Sequence, residues 1–295
     1  MSATSPFVNP FESNGNWYKA NLHTHTTTSD GGFSVQERIQ QYYEKGYSIL
    51  AITDHDRTND VSALSTDDFL VISGTETHPN CPGADPYHFV FLNVPYGFDC
   101  SSEPNPNARI KMAREAGGEA IICHPYWCGH NINHLMKING AIALEVYNAT
   151  CTKIGKGLSS VQWDDLLDAG IILPAVAVDD AHRGRDIFMG WTWFKAENLT
   201  AEDVMEALRT GCFYSSCGPV IEDARVCDGK VIVKCSPASE VHFIAQRSHG
   251  FSIYSDGEGP ITSAEIPLRD SWRYLRIEIV DLQGNRAWTN PLVVR

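Results

Sequence analysis

The chain has no excess of positive charge. Its 295 residues carry 23 lysines and arginines against 36 acids, a net charge of −13. That balance argues against a long nucleic-acid track or an anionic membrane surface as the main partner, because both need clustered cations. No apolar run approaches the roughly 18 residues of a membrane span. The opening stretch, MSATSPFVNPFESNGNW, has neither a basic n-region nor an apolar h-region. The expectation is a cytoplasmic protein without a signal. Cys-x-x-Cys is missing too: the nine cysteines, from Cys81 to Cys235, are scattered and odd in number. They read as reduced, partly buried thiols and not as a disulfide frame or a zinc knuckle. Internal repeats and low-complexity tracts are also lacking.

What the chain does have is apolar material, at 43% of residues, enough for one large domain or one plus a small one. From residue 18 to about 210, short apolar runs alternate with helical patterns. The runs are Tyr18–Leu22, Tyr47–Thr53, Phe69–Ser73, His88–Asn93, Ala120–Cys123, Ala141–Val146, Ile171–Val178 and Gly190–Phe194. Ser34 and Glu37 form a capping box that opens a helix over Val35–Lys45, with Gly46 to stop it. Helices are also expected over Asn107–Ala116, Val161–Ala169 and Thr200–Arg209. This alternation predicts an α/β fold, as a parallel sheet or an α/β barrel. From Pro219 to Arg295 the texture changes to alternating strands, including a hairpin turn at Asp228-Gly229. A small all-β sandwich over 219–295 is expected to follow a first domain over 1–218.

The chemistry sits at the ends of the apolar runs. The first leads to His23, His25 and Asp30, and the second to Asp54, His55 and Asp56. The third leads to Glu76 and His78; His88 opens the fourth, and His124 follows the fifth. Glu145 lies in the sixth, and Asp179, Asp180 and His182 follow the seventh. In a β/α barrel the C-terminal strand ends share one face, so residues far apart in sequence converge on one pocket. Imidazoles and carboxylates without thiolates suit Zn, Mn or Fe. Nine ligands are too many for one tetrahedral ion and fit two or three ions sharing a bridging carboxylate. Such ions activate water for hydrolysis and need no nucleophilic Ser or Cys.

The motifs LHTHTTTSDG, ITDHD, GTE, YHFVFL, CHP and DDAH, in this order, resemble those of the PHP (polymerase and histidinol phosphatase) superfamily over roughly residues 18–210. The resemblance implies a distorted (β/α)7 barrel with up to three metal ions. It places metal ligands at His23, His25, Asp30, His55, Glu76, His88, His124, Asp180 and His182. By analogy His23, His25, Glu76 and Asp180 hold one ion. Glu76 bridges to a second held by His88 and His124, and Asp30, His55 and His182 hold a third. The i, i+2 spacing to His182 selects Asp180 over its neighbour Asp179. Asp54, Asp56 and Glu145 are expected to orient histidines. RTGCFYSSCGP and DLQGNRAWTNPLVV resemble the CehA/McbA-type PHP metallohydrolases, a subgroup that includes hydrolases of aryl carbamate esters.

Two activities follow as expectations. The first is a metal-dependent phosphoesterase acting on a small, anionic substrate, with Arg57, Arg183 and Arg185 placed to bind its free oxygens. The second is a carbamate or carboxylic-ester hydrolase using the same metals, with Tyr126 and Trp127 as an apolar wall. His78, His130 and His182 are candidates for the general acid, and His130 and Trp127 for substrate contact. Nucleotides or very short oligomers remain compatible with the charge.

Overall fold

The computed structural model describes residues 6–257 and 259–294. β1 (Asn16–Asn21), β2 (Ile49–Ile52) and β3 (Leu70–Thr77) run parallel. Between the first two lies α1 (Val35–Glu44), opened by the Ser34/Glu37 capping box. β4 (Phe89–Leu92) is antiparallel to β3 and to β5 (Glu119–Ile122), which departs from the expected all-parallel sheet. The reason is local: residues 78–88 contain no helix, and a parallel return needs a crossover element. α2 (Pro106–Glu115) links β4 to β5. β6 (Ala143–Asn148) and β7 (Ala175–Val178) continue parallel to β5, with α3 (Ile132–Leu135) and α4 (Ser160–Asp168) in the connections. α3 is a single turn and was not legible as a helix.

The sheet follows the order β1 to β7. Just past the strand ends, a parallel bridge between Thr24 and Ala181 brings the chain after β7 back to the chain after β1. One face of these seven strands meets in a single apolar cluster, with Ala20, Ile49, Leu70, Val90, Ile121, Ala143 and Val176 each contributed by a different strand. On the other side of β1 come β8 (Trp191–Ala196) and β9 (Phe213–Ser216), both antiparallel to their neighbours. α5 (Ala201–Thr210) joins them and puts Val204, Met205 and Leu208 into the same cluster.

The strand-only part comprises β10 (Ile221–Cys227), β11 (Lys230–Ile244), β12 (Gly250–Tyr254), β13 (Ile261–Pro267), β14 (Tyr274–Asp281), β15 (Arg286–Thr289) and β16 (Val293–Val294). Asp228 and Gly229, with φ of 49° and 73°, make the expected hairpin turn. β11 is one 15-residue strand where the sequence reads as two. Its register shifts around Pro237, the position at which a strand tolerates proline. Its first half lies between β10 and β13, its second between β12 and β14.

This part joins the rest through pairing of β15 with β9 and through buried polar contacts. The Asn290 side chain accepts from Ala175 N and donates to the Gly211 and Phe213 carbonyls. Arg276 of β14 reaches Asp164 of α4 through two hydrogen bonds of 2.7 Å. The result is a mixed α/β fold around a central sheet. Among the described residues no helix is long and apolar enough to cross a membrane.

Candidate metal centre

Strand periodicity builds most of the site. Inward-facing residues recur every second position. Continuing Ile49 and Ala51 past β2 reaches His55, and continuing Leu70 and Ile72 along β3 reaches Glu76. Stepping back from Leu92 and Val90 reaches His88, and stepping on from Ala143 reaches Glu145. Val176 and Val178 lead to Asp180. Because β4 is antiparallel, the start of β4 lies beside the end of β3, so His88 joins the same face as Glu76. The site is therefore the polar layer that closes the apolar cluster. His23 and His25 follow β1, and the loop after them turns sharply. A Cβ on Gly31 would lie 2.4 Å from the His25 carbonyl carbon, so glycine permits the fold-back that returns Asp30 to the pair. His124 and Asp180 have φ of 27° and 55°, conformations that L residues adopt at a cost and that gather at functional sites.

Glu76, 1% exposed, is the hub. Its Oε2 lies 3.2 Å from His23 Nε2, 3.3 Å from His25 Nε2 and 3.0 Å from His55 Nδ1. Its Oε1 lies 2.7 Å from His88 Nδ1 and 3.3 Å from His124 Nε2. Five groups of donor atoms lie at or beside it: His23, His25, Glu76 and Asp180; Glu76, His88 and His124; His25, Asp30, His55 and His182; His55, Glu76 and His78; and His23, Cys123, His124 and Glu145. All nine expected residues are thus brought together, and His25 enters the third group as well as the first. His78 lies next to them, its Nε2 3.7 Å from Glu76 and its Nδ1 3.7 Å from Asp56.

The donor set fits divalent cations. Glu76, Glu145 and Asp180 are buried, and no lysine or arginine forms an ion pair with them among the described residues. Buried carboxylates without positive partners are costly. Two ring nitrogens, His23 Nε2 and His25 Nε2, face each other at 3.1 Å. Asp180 Oδ1 and His25 Nδ1 lack a well-angled hydrogen bond, although His25 Nε2 lies 3.1 Å from that oxygen. A cation held among them would separate the facing ring nitrogens and take up the free Asp180 oxygen.

The protonation energetics point the same way. Burial lowers the affinity of His23, His25 and His124 for protons. Neighbouring groups more than offset this and leave all three raised: Asp180 and Glu76 for His23 and His25, Cys128 and Glu76 for His124. Burial pushes Glu76 and Asp180 up, and the histidines beside them pull both well below the ordinary carboxylate range. For His88 burial prevails over Glu76, lowering it to about 4. For His78 burial is overcome by Asp56 and Glu76, raising it to about 9.

Outer partners fix the rings. Glu145 Oε1 pairs with His23 Nδ1 at 2.7 Å, which leaves Nε2 to face the hub, and its Oε2 accepts from the His124 backbone N–H. His124 Nδ1 meets the Cys128 thiol at 3.5 Å, and His182 Nδ1 meets the Asp180 carbonyl at 2.9 Å. Asp179 turns away from the site, accepting from Tyr42 Oη and the amides of Phe188, Met189 and Gly190. Asp54 orients no histidine: it holds the loop at Thr26 and Ser29, and its side-chain partners are hydroxyls, amides and Asn59.

A cavity of about 270 Å³ opens onto the centre. Its walls beyond the nine residues are Trp127, Thr150 and Cys151. Trp127 packs edge-on to His88 and His124. Thr150 and Cys151 were missed in the sequence, because they follow β6 in a short 3-10 turn with no motif of their own. Arg57 is exposed and off this wall. Arg183, also exposed, donates to the Asp30 and His182 carbonyls, so it ties two site loops together. Arg185 is exposed and also off the wall. His130 is buried against the Asp85 carbonyl and the Tyr87 ring and does not line the cavity.

No family model matches the chain. A 37-residue stretch is 51% identical to the DNA polymerase/3′-5′ exonuclease PolX of Bacillus subtilis, covering 12% of this chain and 6% of that protein. A lesion-specific endonuclease of Pyrococcus furiosus superposes with a TM-score of 0.45 at 14% identity, over 66% of this chain and 56% of its own. A two-domain protein of Bacteroides vulgatus, described as containing a predicted PHP-like metal-dependent phosphoesterase, superposes with a TM-score of 0.53 at 15% identity. That match covers 99% of this chain and 98% of the other, a likeness of fold that spans both parts of the molecule.

Proposed function

We propose that the chain is a PHP-superfamily hydrolase: a metal-dependent phosphoesterase for a small phosphorylated molecule, working with two or three divalent ions, Zn, Mn or Fe. In this reading residues 1–218 form a distorted seven-stranded barrel and 219–295 a β-sandwich. The observation that carries it is the buried Glu76 carboxylate, with five imidazoles within 3.3 Å of its two oxygens. Bound divalent ions supply Lewis acidity and lower the pKa of water, which is hydrolytic chemistry.

The chain's own residues supply the rest. Glu145 fixes the His23 tautomer, and Cys128 and the Glu145 carboxylate set the ring and backbone of His124. Asp30, His55 and His182 line the cavity on one side, His88 and Trp127 on another. His78 and His182 are the candidates to protonate the leaving group, since both rings lie at the centre and are partly solvent-exposed. The Arg183 guanidinium, on the Asp30 carbonyl, holds the Asp30 loop against the His182 loop.

A second reading, a carbamate or carboxylic-ester hydrolase of the CehA/McbA type, is favoured by one observation. The cavity wall outside the nine residues is Trp127, Thr150 and Cys151, with no lysine or arginine to pair with a phosphate oxygen. Purified protein of determined metal content, assayed with Mn or Zn, separates the two. Metal-dependent release from p-nitrophenyl phosphate or bis-p-nitrophenyl phosphate supports the first. Release from 1-naphthyl N-methylcarbamate alone replaces it with the second.

A further inference from the structure

A buried guanidinium without a direct ion pair lies beneath the metal centre. Arg38, in the first turn of α1, is fully buried and forms no ion pair with any carboxylate among the described residues. Its Nε donates to the His25 carbonyl at 3.0 Å, and its Nη2 donates to the Ala181 carbonyl at 2.9 Å. Nη1 reaches Gln41 at 3.1 Å, and the group lies 4.9 Å from the centre of the Phe33 ring. The Asp186 and Asp179 carboxylates act on it only through space, and burying a charge whose hydrogen bonds all go to neutral acceptors is expensive. A leucine or methionine on this helix face would avoid that expense, so packing alone does not account for an arginine here.

Both carbonyls belong to the metal centre's own backbone. One is that of His25, a residue shared by two of the five donor groups. The other is that of Ala181, which lies between Asp180 and His182. These two segments meet at the Thr24–Ala181 bridge, where the His25 amide also donates to the Ala181 carbonyl at 3.0 Å. Across that junction the His25 and His182 rings stack at 4.2 Å, and His25 Nε2 stands 3.1 Å from Asp180 Oδ1. A planar fork spans two fixed acceptors, which an ammonium on a flexible stem does not.

We propose that Arg38 is a positioning residue: its guanidinium fixes the spacing of His25 against Asp180 and His182, and so sets the two donor groups that contain His25. The inference rests on the metal-centre reading above. It makes a selective claim. His88 and His124, with Glu76, hang from β3, β4 and β5 and do not depend on the junction that Arg38 bridges.

The test uses the full chain with Arg38→Met and Arg38→Lys. Each variant is checked for folding by near-UV circular dichroism and thermal unfolding. Zn²⁺ and Mn²⁺ stoichiometry and affinity are then measured by equilibrium dialysis, and the imidazole nitrogen chemical shifts of the metal-free proteins by NMR. Expected is a loss of affinity of about 10–100-fold for the ions that use His25, the range found when outer-shell partners are removed. The ion at His88 and His124 is retained, shifts move at His25 and His182, and Arg38→Lys falls between Met and wild type. Should Arg38→Met fail to fold, Arg38→Lys carries the comparison. Wild-type affinity in the folded variants, or an equal loss at every ion, would overturn the positioning role. A wild-type chain that takes up no metal would overturn the metal-centre reading and this inference with it, and the two failures are told apart by the wild type alone.

Discussion

Replacing Asp164 by Asn tests how the strand-only part is held to the rest. Arg276 of β14 is 1% exposed, and its Nε and Nη2 each reach Asp164 of α4 at 2.7 Å. Its Nη1 reaches Glu278 at 3.2 Å, and its guanidinium lies 4.6 Å from the centre of the Trp163 ring. Glu278 in turn accepts from Trp288 Nε1 at 3.0 Å and pairs with Arg286. Two charge-assisted hydrogen bonds are worth about 1.5–3 kcal/mol each. Asp164 is 31% exposed, so water screens part of this, and the expected net loss is about 2–3 kcal/mol. In a chain of this size that lowers Tm by roughly 3–5 °C.

Urea unfolding followed by tryptophan fluorescence reads it, since Trp163 and Trp288 both contact the network. A double-mutant cycle with Arg276→Met gives the coupling, expected at about 1.5–3 kcal/mol. Acid supplies a second arm. Burial pushes the Glu278 carboxyl up, and Arg276 and Arg286 bring it below its ordinary value of 4.5. A depressed folded value means that this stabilisation is complete above pH 4.5 and is lost as pH falls below it through the folded pKa. Glu278→Gln should flatten the acid limb of the stability curve. An Asp164→Asn protein within about 0.5 kcal/mol of wild type, the range of ordinary surface changes, would refute the reasoning.

Other outcomes follow from the site. Asp180→Ala and His25→Ala should each lose metal and activity together while remaining folded, and turnover by a metal-free variant would sink the mechanism. Asp179→Asn should instead retain metal and lose about 2–4 kcal/mol, because a buried carboxylate accepting from three amides and a phenol becomes a side chain with two donors of its own; thermal unfolding and elemental analysis separate the two aspartates. Glu145→Gln should weaken metal binding by about 10–100-fold, since the amide has one acceptor oxygen where the carboxylate uses two, on His23 Nδ1 and on the His124 N–H. Competition with a chelator measures this, and unchanged affinity would remove Glu145 from the account.

Much of the site was legible because period-two spacing carries an apolar strand directly into its polar end. Glu76, His55 and Asp180 lie on the inward rows of their strands, and of the two adjacent aspartates it is Asp180 that faces the histidines. His88 was legible as a residue but not as a consequence of strand direction, since β4 reverses only because the preceding connection holds no helix. Side chains on irregular loops were the obscure part. Nothing in the spacing shows that His130 turns onto Asp85, that Arg183 binds carbonyls, or that Thr150 and Cys151 face the cavity. Loop conformation depends on contacts made across the fold, and Arg38, on an amphipathic helix like any other, gave no local sign that its partners are His25 and Ala181. That β11 is a single strand was not legible, because proline is normally a strand breaker, and the register shifts of its partners show that Pro237 sits at a bulge.

The most direct test of the central claim is anomalous diffraction from crystals grown with Zn²⁺ or Mn²⁺. The account predicts two or three peaks around Glu76, with zinc about 2.0–2.2 Å from its carboxylate oxygens and from the nitrogens of His23, His25, His88 and His124. Crystals of active protein with no peak among these residues would contradict it.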